Sequence, residues 1–186
     1  MKTSTDRWTE PEQYLSNWDT RSQKLLDLFD ETVPNAANLG FTEYGCGPNA
    51  PFSQAVGSNR TCLRYDIKAW DDTCTVVNLN DPEFHVERSD VAVMCGVGEY
   101  MSDLRQTLTR LGTFHDYLLI SYHPYRFRKR VWDIDAVEEL NKRATSGGWR
   151  NHYTLPDLLR VFDGVAFPVR SERMGAQVLN VLEFCR

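Results

Sequence analysis

Val91-Ala92-Val93-Met94 is apolar at four successive positions, and this run constrains the fold more than any other feature of the chain. A strand alternates its side chains between two faces, so a strand with no polar position is buried on both. Such strands belong to parallel sheets covered by helices on each side. Tyr117-Leu118-Leu119-Ile120 repeats the pattern and reads as another central strand. Shorter strand-like runs span Phe41 to Gly45, Arg60 to Asp66 and Thr73 to Val77, and the apolar run itself extends to Cys95. Helices alternate with them. Ser22 to Phe29 sets Leu25, Leu26, Leu28 and Phe29 on one helical face and stops before Pro34. Ser102 and Asp103 cap a helix to about Leu111, with Leu104, Leu108 and Leu111 at helical spacing. A further helix is expected across Trp132 to Ala144, and another opens at Leu155-Pro156-Asp157 and ends near Phe162. Val165 to Arg170 and Gln177 to Phe184 are joined so tightly, across Glu172 to Gly175, that they must be antiparallel neighbours. The expected fold is α/β: a doubly wound, mostly parallel sheet of about seven strands with an antiparallel C-terminal hairpin and helices on both faces.

A chain of 186 residues with 41% hydrophobic content is sized for one domain with a proper core. That domain is read as residues 1–186, with a helical cap at 1–35 and a substrate lid at 123–154. Nothing near Met1 has the apolar run of a signal peptide, and no stretch reaches the roughly 18 apolar residues of a membrane span. A cytoplasmic protein is the expectation. The five cysteines, Cys46, Cys62, Cys74, Cys95 and Cys185, show no CxxC spacing, which argues against a disulfide framework and a zinc site. No metal is expected. A net charge of −5 gives no electrostatic reason to bind nucleic acid in general.

Glu43-Tyr44-Gly45-Cys46-Gly47-Pro48-Asn49 directly follows a strand. Two glycines at i and i+2 permit a tight turn and let a ligand lie against bare backbone. In doubly wound sheets the carboxyl end of the first strand is where ligands bind. The dinucleotide pattern GxGxxG is not met, because Ala50 follows Asn49. Asp66 closes the next strand at the distance where an acid accepts hydrogen bonds from both ribose hydroxyls. Each residue also has a plainer reading: Glu43 as the cap of an anion-binding nest, Asp66 as a strand-end turn residue, Glu99 as a helix cap that suits the dipole.

Taken in order, an acid-x-Gly-x-Gly turn, an acid ending the second strand and Asn78-Leu79 after the third resemble the class I methyltransferases that use S-adenosyl-L-methionine (SAM). The resemblance runs from about Phe41 to Ile120, and the terminal hairpin fits that family's antiparallel last strand. It implies SAM as cofactor, with Glu43, Gly45, Cys46 and Gly47 in the glycine motif and Asp66 as the ribose acid. It implies that Asn78 meets the adenine amino group, that Leu79 packs on the ring, and that Cys95-Gly96-Val97-Gly98-Glu99-Tyr100 flanks the methyl donor. Tyr14 and Trp18, which with Trp8 form an aromatic cluster, either cover the cofactor or pack on the sheet. Two departures stand out. Asn49 occupies the place where a third glycine is common, and Lys68 to Asp72 is too short for a crossover helix, so one flank of the sheet should be thin.

The methyl acceptor should enter over the fourth and fifth strands. The fifth ends in Ser121-Tyr122-His123-Pro124-Tyr125, and Gly147-Gly148-Trp149-Arg150-Asn151-His152-Tyr153 precedes the next helix. An alcohol acceptor profits from a general base, and imidazole is the usual one near neutral pH. His123 and His152 are the candidates, with His123 favoured because a core strand holds it. Glu99, Tyr100, Tyr125, Arg126, Arg128, Trp149, Asn151 and Tyr153 are the expected acceptor contacts. The Arg126 to Arg130 run either clamps an anionic group or solvates a helix face. His85 and His115 are expected to be solvated.

The Ser121-to-Pro124 and Gly148-to-His152 segments also look like those of bacterial methyltransferases of glycan and polysaccharide biosynthesis, which implies a sugar hydroxyl as acceptor. The leading function is therefore O-methylation of a small or glycan-like molecule. An N-methyltransferase is disfavoured, because Cys95-Gly96-Val97-Gly98 replaces an Asn/Asp-Pro-Pro-Tyr-type segment. A non-catalytic SAM-binding regulator is the alternative from another class, and a nicotinamide oxidoreductase lacks its third glycine.

Overall fold

The computed structural model describes residues 17–125 and 134–186. Tyr14, Arg126 and Arg128 lie outside the described residues, as do Trp8, Trp132 and the side chain of Trp18. Among the described residues seven strands form one sheet: β1 Phe41–Tyr44, β2 Cys62–Asp66, β3 Cys74–Val76, β4 Val91–Cys95, β5 Tyr117–Tyr122, β6 Ala166–Met174 and β7 Gln177–Phe184. Their order is β3-β2-β1-β4-β5-β7-β6. β1 pairs in parallel with β2 and β4, β2 with β3, and β4 with β5, while β7 runs antiparallel between β5 and β6. Strand order reverses between β1 and β4, and such a switch point opens a crevice at the strands' carboxyl ends. No helix among the described residues is long and apolar enough to cross a membrane.

Helices α1 Asn17–Thr32 and α2 Pro51–Val56 are joined downstream by α3 Leu104–Leu111, α4 Ile134–Gly147 and α5 Leu155–Phe162. On one face Leu25, Leu28 and Phe29 of α1 pack with Phe52 of α2 against Phe41, Val91, Val93 and Leu119. All eight are fully buried, and each such side chain contributes about 1.5–3 kcal/mol on leaving water. On the other face Leu104, Leu108 and Leu111 of α3 and Leu158 and Phe162 of α5 cover Ala92, Met94, Leu118 and Ile120. β4 is therefore clothed on both sides, as its four apolar residues demand.

The local signals read well. Asp103 caps α3 by accepting from the Gln106 N–H at 2.9 Å. Thr154 and Asp157 form a capping box on α5, with Pro156 in its first turn. α1 begins earlier than the apolar face Ser22 to Phe29 announces, because its first turn is polar. Only residues 67–73 link the parallel pair β2 and β3, and they form no helix, so that flank is thin. Residues 77–90 form no helix either, and buried Phe84 and Val86 fill the layer in its place.

His115 corrects an expectation of solvent exposure. Its ring is 2% exposed, with Nε2 2.8 Å from the Tyr44 hydroxyl and Nδ1 3.1 Å from both the Ser89 hydroxyl and the Ser89 carbonyl. A place at the end of a helix reads as exposed, but the turn after α3 folds His115 under the sheet. Burial drives its pKa down from 6.5 to about 4, against the pull of the Ser89 backbone. The imidazole is neutral in the fold, so the unfolded chain binds the extra proton. Its stabilisation is complete above pH 6.5 and is lost as pH falls towards 4, at about 1.4 kcal/mol per pH unit. The buried Glu43 carboxyl, raised from 4.5 to about 7, slopes the other way and flattens the wild-type profile. Subtracting the stability of a His115→Gln variant isolates the histidine. The wild-type advantage in urea unfolding should shrink steadily between pH 6.5 and 4.5, and a constant advantage would show that His115 is not held neutral.

Candidate active site

β1 delivers its chain to the crevice through a turn in which Gly45 and Gly47 take φ of +67° and +61°. The two glycines are required for different reasons. A methyl group on Gly45 would stand 2.5 Å from Val97 Cγ2, whereas one on Gly47 would meet nothing within 4 Å. Gly45 lets the β1 and β4 loops touch, and Gly47 leaves an open cradle beside the turn. Cys46 between them is 1% exposed, its sulfur 3.5 Å from that of Cys74. Only its backbone is placed to meet a ligand in the turn.

Glu43 is buried, and its two oxygens accept from the backbone N–H groups of Phe52 and Ser53 at 3.0 and 2.9 Å. It thus caps α2, whose own N-cap position is Ala50 with no side-chain acceptor. Burial raises its carboxyl to about 7, with those two N–H groups pulling it back. Glu43 shapes the turn from beneath.

Asp66 ends β2 and faces the same turn. Its Oδ2 accepts from the Gly47 N–H at 2.8 Å and Oδ1 from the Ile67 N–H at 2.6 Å. Burial raises its pKa and the backbone donors lower it. Asn78 is exposed, with its Oδ1 accepting from the Asn80 N–H at 3.1 Å. Leu79, expected to pack on the adenine ring, is 6% exposed and packs in the core layer with α3. The loop that replaces a helix after β3 turns this residue inward.

At the carboxyl end of β4, Gly96 has φ +70°, and the guanidinium of Arg21 stands over it. Arg21 is 6% exposed. It donates to the Cys95 carbonyl at 3.0 Å and the Gln177 amide oxygen at 3.3 Å. Sequence reasoning missed Arg21, whose one signal is a cation one turn ahead of the apolar face of α1. Glu99 is 3% exposed, and its Oε1 accepts from the His123 N–H at 2.8 Å.

The acceptor-side residues converge. Tyr122 donates its hydroxyl to Asn151 Oδ1 and accepts from the Tyr153 N–H at 3.0 Å. Asn151 Nδ2 donates to the carbonyls of Gly98 and Met101 at 2.7 and 2.8 Å. Asn151 is a tie between two loops, not the acceptor contact expected of it, because all of its amide atoms are engaged within the chain. Trp149 donates to the Tyr100 hydroxyl at 3.1 Å, and its ring lies 5.4 Å from that of His123 and 6.2 Å from that of His152. Arg143, a second residue not singled out from the sequence, sits 5.3 Å from both the Tyr125 and Trp149 rings. Burial and the charge of Arg143 lower the His152 pKa. His123, His152, Trp149 and Tyr100 are thus brought together, and buried Tyr125 backs them.

No protein-family model matches this chain, and no curated protein does. Solved structures share its fold. 1,6-Didemethyltoxoflavin-N1-methyltransferase of Burkholderia thailandensis, crystallised with 1,6-didemethyltoxoflavin and S-adenosylhomocysteine, superposes with a TM-score of 0.63 at 14% identity, over 98% of this chain and 82% of that one. An O-methyltransferase family protein of the same species gives 0.65 at 14% identity, over 98% and 63%. The PH0226 protein of Pyrococcus horikoshii OT3 gives 0.64 at 10% identity, over 92% of each chain. The chain spans less than two thirds of the second of these neighbours. The likeness is one of fold.

Proposed function

We propose that this protein is a SAM-dependent methyltransferase acting on a small-molecule acceptor, with a hydroxyl as the leading acceptor atom. The observation that carries the reading is the open cradle at Gly47, closed on one side by Asp66 at 2.8 Å from its N–H. A nucleoside fits such a site: bare backbone for the ligand to lie on and a buried acid for its ribose hydroxyls. SAM, when bound, supplies an electrophilic methyl group on a sulfonium. The chain's part is to align the acceptor with that group. Arg21, fixed over Gly96 at the β1–β4 junction, offers a cation to the carboxylate of the amino-acid portion. His123, His152, Tyr100 and Trp149 face the acceptor. A small molecule is favoured over a glycan because the toxoflavin enzyme of like fold is crystallised with 1,6-didemethyltoxoflavin bound. The glycan reading rests on the Ser121-to-Pro124 and Gly148-to-His152 segments alone.

Calorimetric titration with S-adenosylhomocysteine (SAH) and with NAD, side by side, tests the cofactor class. SAH should bind and NAD should not; the reverse would abandon the reading. Asp66→Ala should weaken SAH by about 10- to 150-fold, the equivalent of roughly 1.5–3 kcal/mol for a charge-assisted pair. An unchanged affinity in a folded variant removes Asp66 from the site.

A further inference from the structure

Glu99 has one oxygen more than its structural task requires. Oε1 holds the His123 N–H at 2.8 Å, and the Glu99 carbonyl accepts from the Arg150 and Asn151 N–H groups at 2.8 and 3.3 Å. The residue is thereby fixed to two loops. Oε2 is buried and has no hydrogen-bond partner among the described residues. A glutamine would hold His123 equally well without burying a charge. Leaving a buried carboxylate oxygen unpaired is costly, and a native fold that does so has a reason. Ser121, beside Cys95 in the β4–β5 register, carries a second such atom in its hydroxyl. Both orphans lie at the carboxyl ends of adjacent strands, next to the loop whose Val97 touches the glycine turn.

We propose that Glu99 Oε2 is the group that aligns and deprotonates the acceptor, and that the acceptor is of the class bearing an N–H or O–H on the atom to be methylated. The proposal rests on the SAM reading above. It replaces His123, favoured from sequence, with a group that is better fixed and shielded from water. Burial raises the Glu99 carboxyl above its ordinary value, while its own backbone N–H, the His123 N–H and the Arg21 charge lower it, so the carboxylate is a stronger base than an exposed one. In the step, the acceptor lone pair forms the bond to the methyl carbon and the methyl–sulfur bond breaks with its pair left on sulfur. The acceptor proton passes to Oε2 and leaves to water once product departs. Tertiary amines and other proton-free acceptors gain nothing from this arrangement.

Sinefungin, the SAM analogue in which an amine-bearing carbon replaces the methylated sulfonium, probes the geometry without knowledge of the acceptor. Its ammonium occupies the position of the transferred methyl and would donate to Oε2. By calorimetry at pH 7.5, sinefungin should bind the wild type about 10- to 100-fold more tightly than SAH, as a charge-assisted hydrogen bond predicts. Glu99→Gln keeps an oxygen for His123 and should abolish that preference while SAH affinity stays within about threefold, since SAH lacks the amine. His123→Gln should leave the preference intact. Equal affinities for the two ligands in the wild type overturn the proposal without any variant. So does a preference that survives Glu99→Gln or vanishes in His123→Gln. Failure of both ligands to bind the wild type instead overturns the SAM reading, and this proposal with it.

Discussion

Asn151→Ala should cost about 3–5 kcal/mol of folding stability, an effect at the upper end of single substitutions. Three buried groups lose a partner at once: the Tyr122 hydroxyl and the carbonyls of Gly98 and Met101. None is close to bulk water, since Tyr122 is fully buried and Gly98 and Met101 are buried as well. The Met101 carbonyl carries its desolvation penalty in full, while the Tyr122 hydroxyl keeps only the Tyr153 N–H and the Gly98 carbonyl only the Met101 N–H at 3.3 Å, and the alanine contributes nothing to offset the losses. The loops 98–101 and 149–153 would part, taking Glu99, Tyr100 and Trp149 out of register. Urea unfolding measures the loss. A change below 1 kcal/mol would mean that the tie is replaceable by water and that Asn151 is free for another role.

Gly45→Ala and Gly47→Ala should fail in opposite ways. At Gly45 the left-handed backbone costs an alanine roughly 1–2 kcal/mol. The new methyl also meets Val97 at 2.5 Å, and a β-branched side chain has few rotamers into which to retreat. A total near 3 kcal/mol is expected, approximately the sum of strain and overpacking. Val97→Ala in the same chain should recover the overpacking and leave the strain, a pairwise effect that a double-mutant cycle reads directly. At Gly47 the methyl has room, so only the backbone strain of roughly 1–2 kcal/mol remains. Its cost falls on the ligand: SAH binding should drop at least about tenfold, the equivalent of 1.4 kcal/mol. If Gly47→Ala binds SAH as the wild type does, the cradle is not where the cofactor lies.

What was legible in the sequence was local. The four apolar residues of β4 demand two covered faces whatever surrounds them. Asp103 caps a helix that begins at the next residue, and Pro156 sits in the first turn of another. The hairpin of β6 and β7 is dictated by its short turn. What escaped was joined across the chain. α2 was missed because its cap, Glu43, lies on the preceding strand and not beside the helix. His115 reads as a surface residue because its partners Tyr44 and Ser89 belong to β1 and to the turn before β4. Arg21 and Asn151 are polar residues whose burial is decided by loops far away in sequence. Of the site, sequence found the turn and the ends of the strands; it could not tell the residue that touches a ligand from the one that holds the loop in place.

The position of β7 between β5 and β6 also bears on how the molecule is made. Every strand from β1 to β5 can find its neighbours in the order of synthesis, except that β5 then waits with one edge open. That edge, Tyr117–Tyr122, is apolar over most of its length and stays unpaired on the ribosome until residues 177–184 have emerged. At about 5–20 residues per second the wait lasts seconds, long compared with the microseconds in which a hairpin forms. An exposed apolar edge of this kind pairs readily with another chain. Once made, β7 closes it, and Pro168, at the bulge on β6, leaves the new outer strand poorly suited to the same fate. The nascent chain is thus most prone to aggregate while its last crossover is being translated, and a pause in that stretch would harm yield more than one earlier.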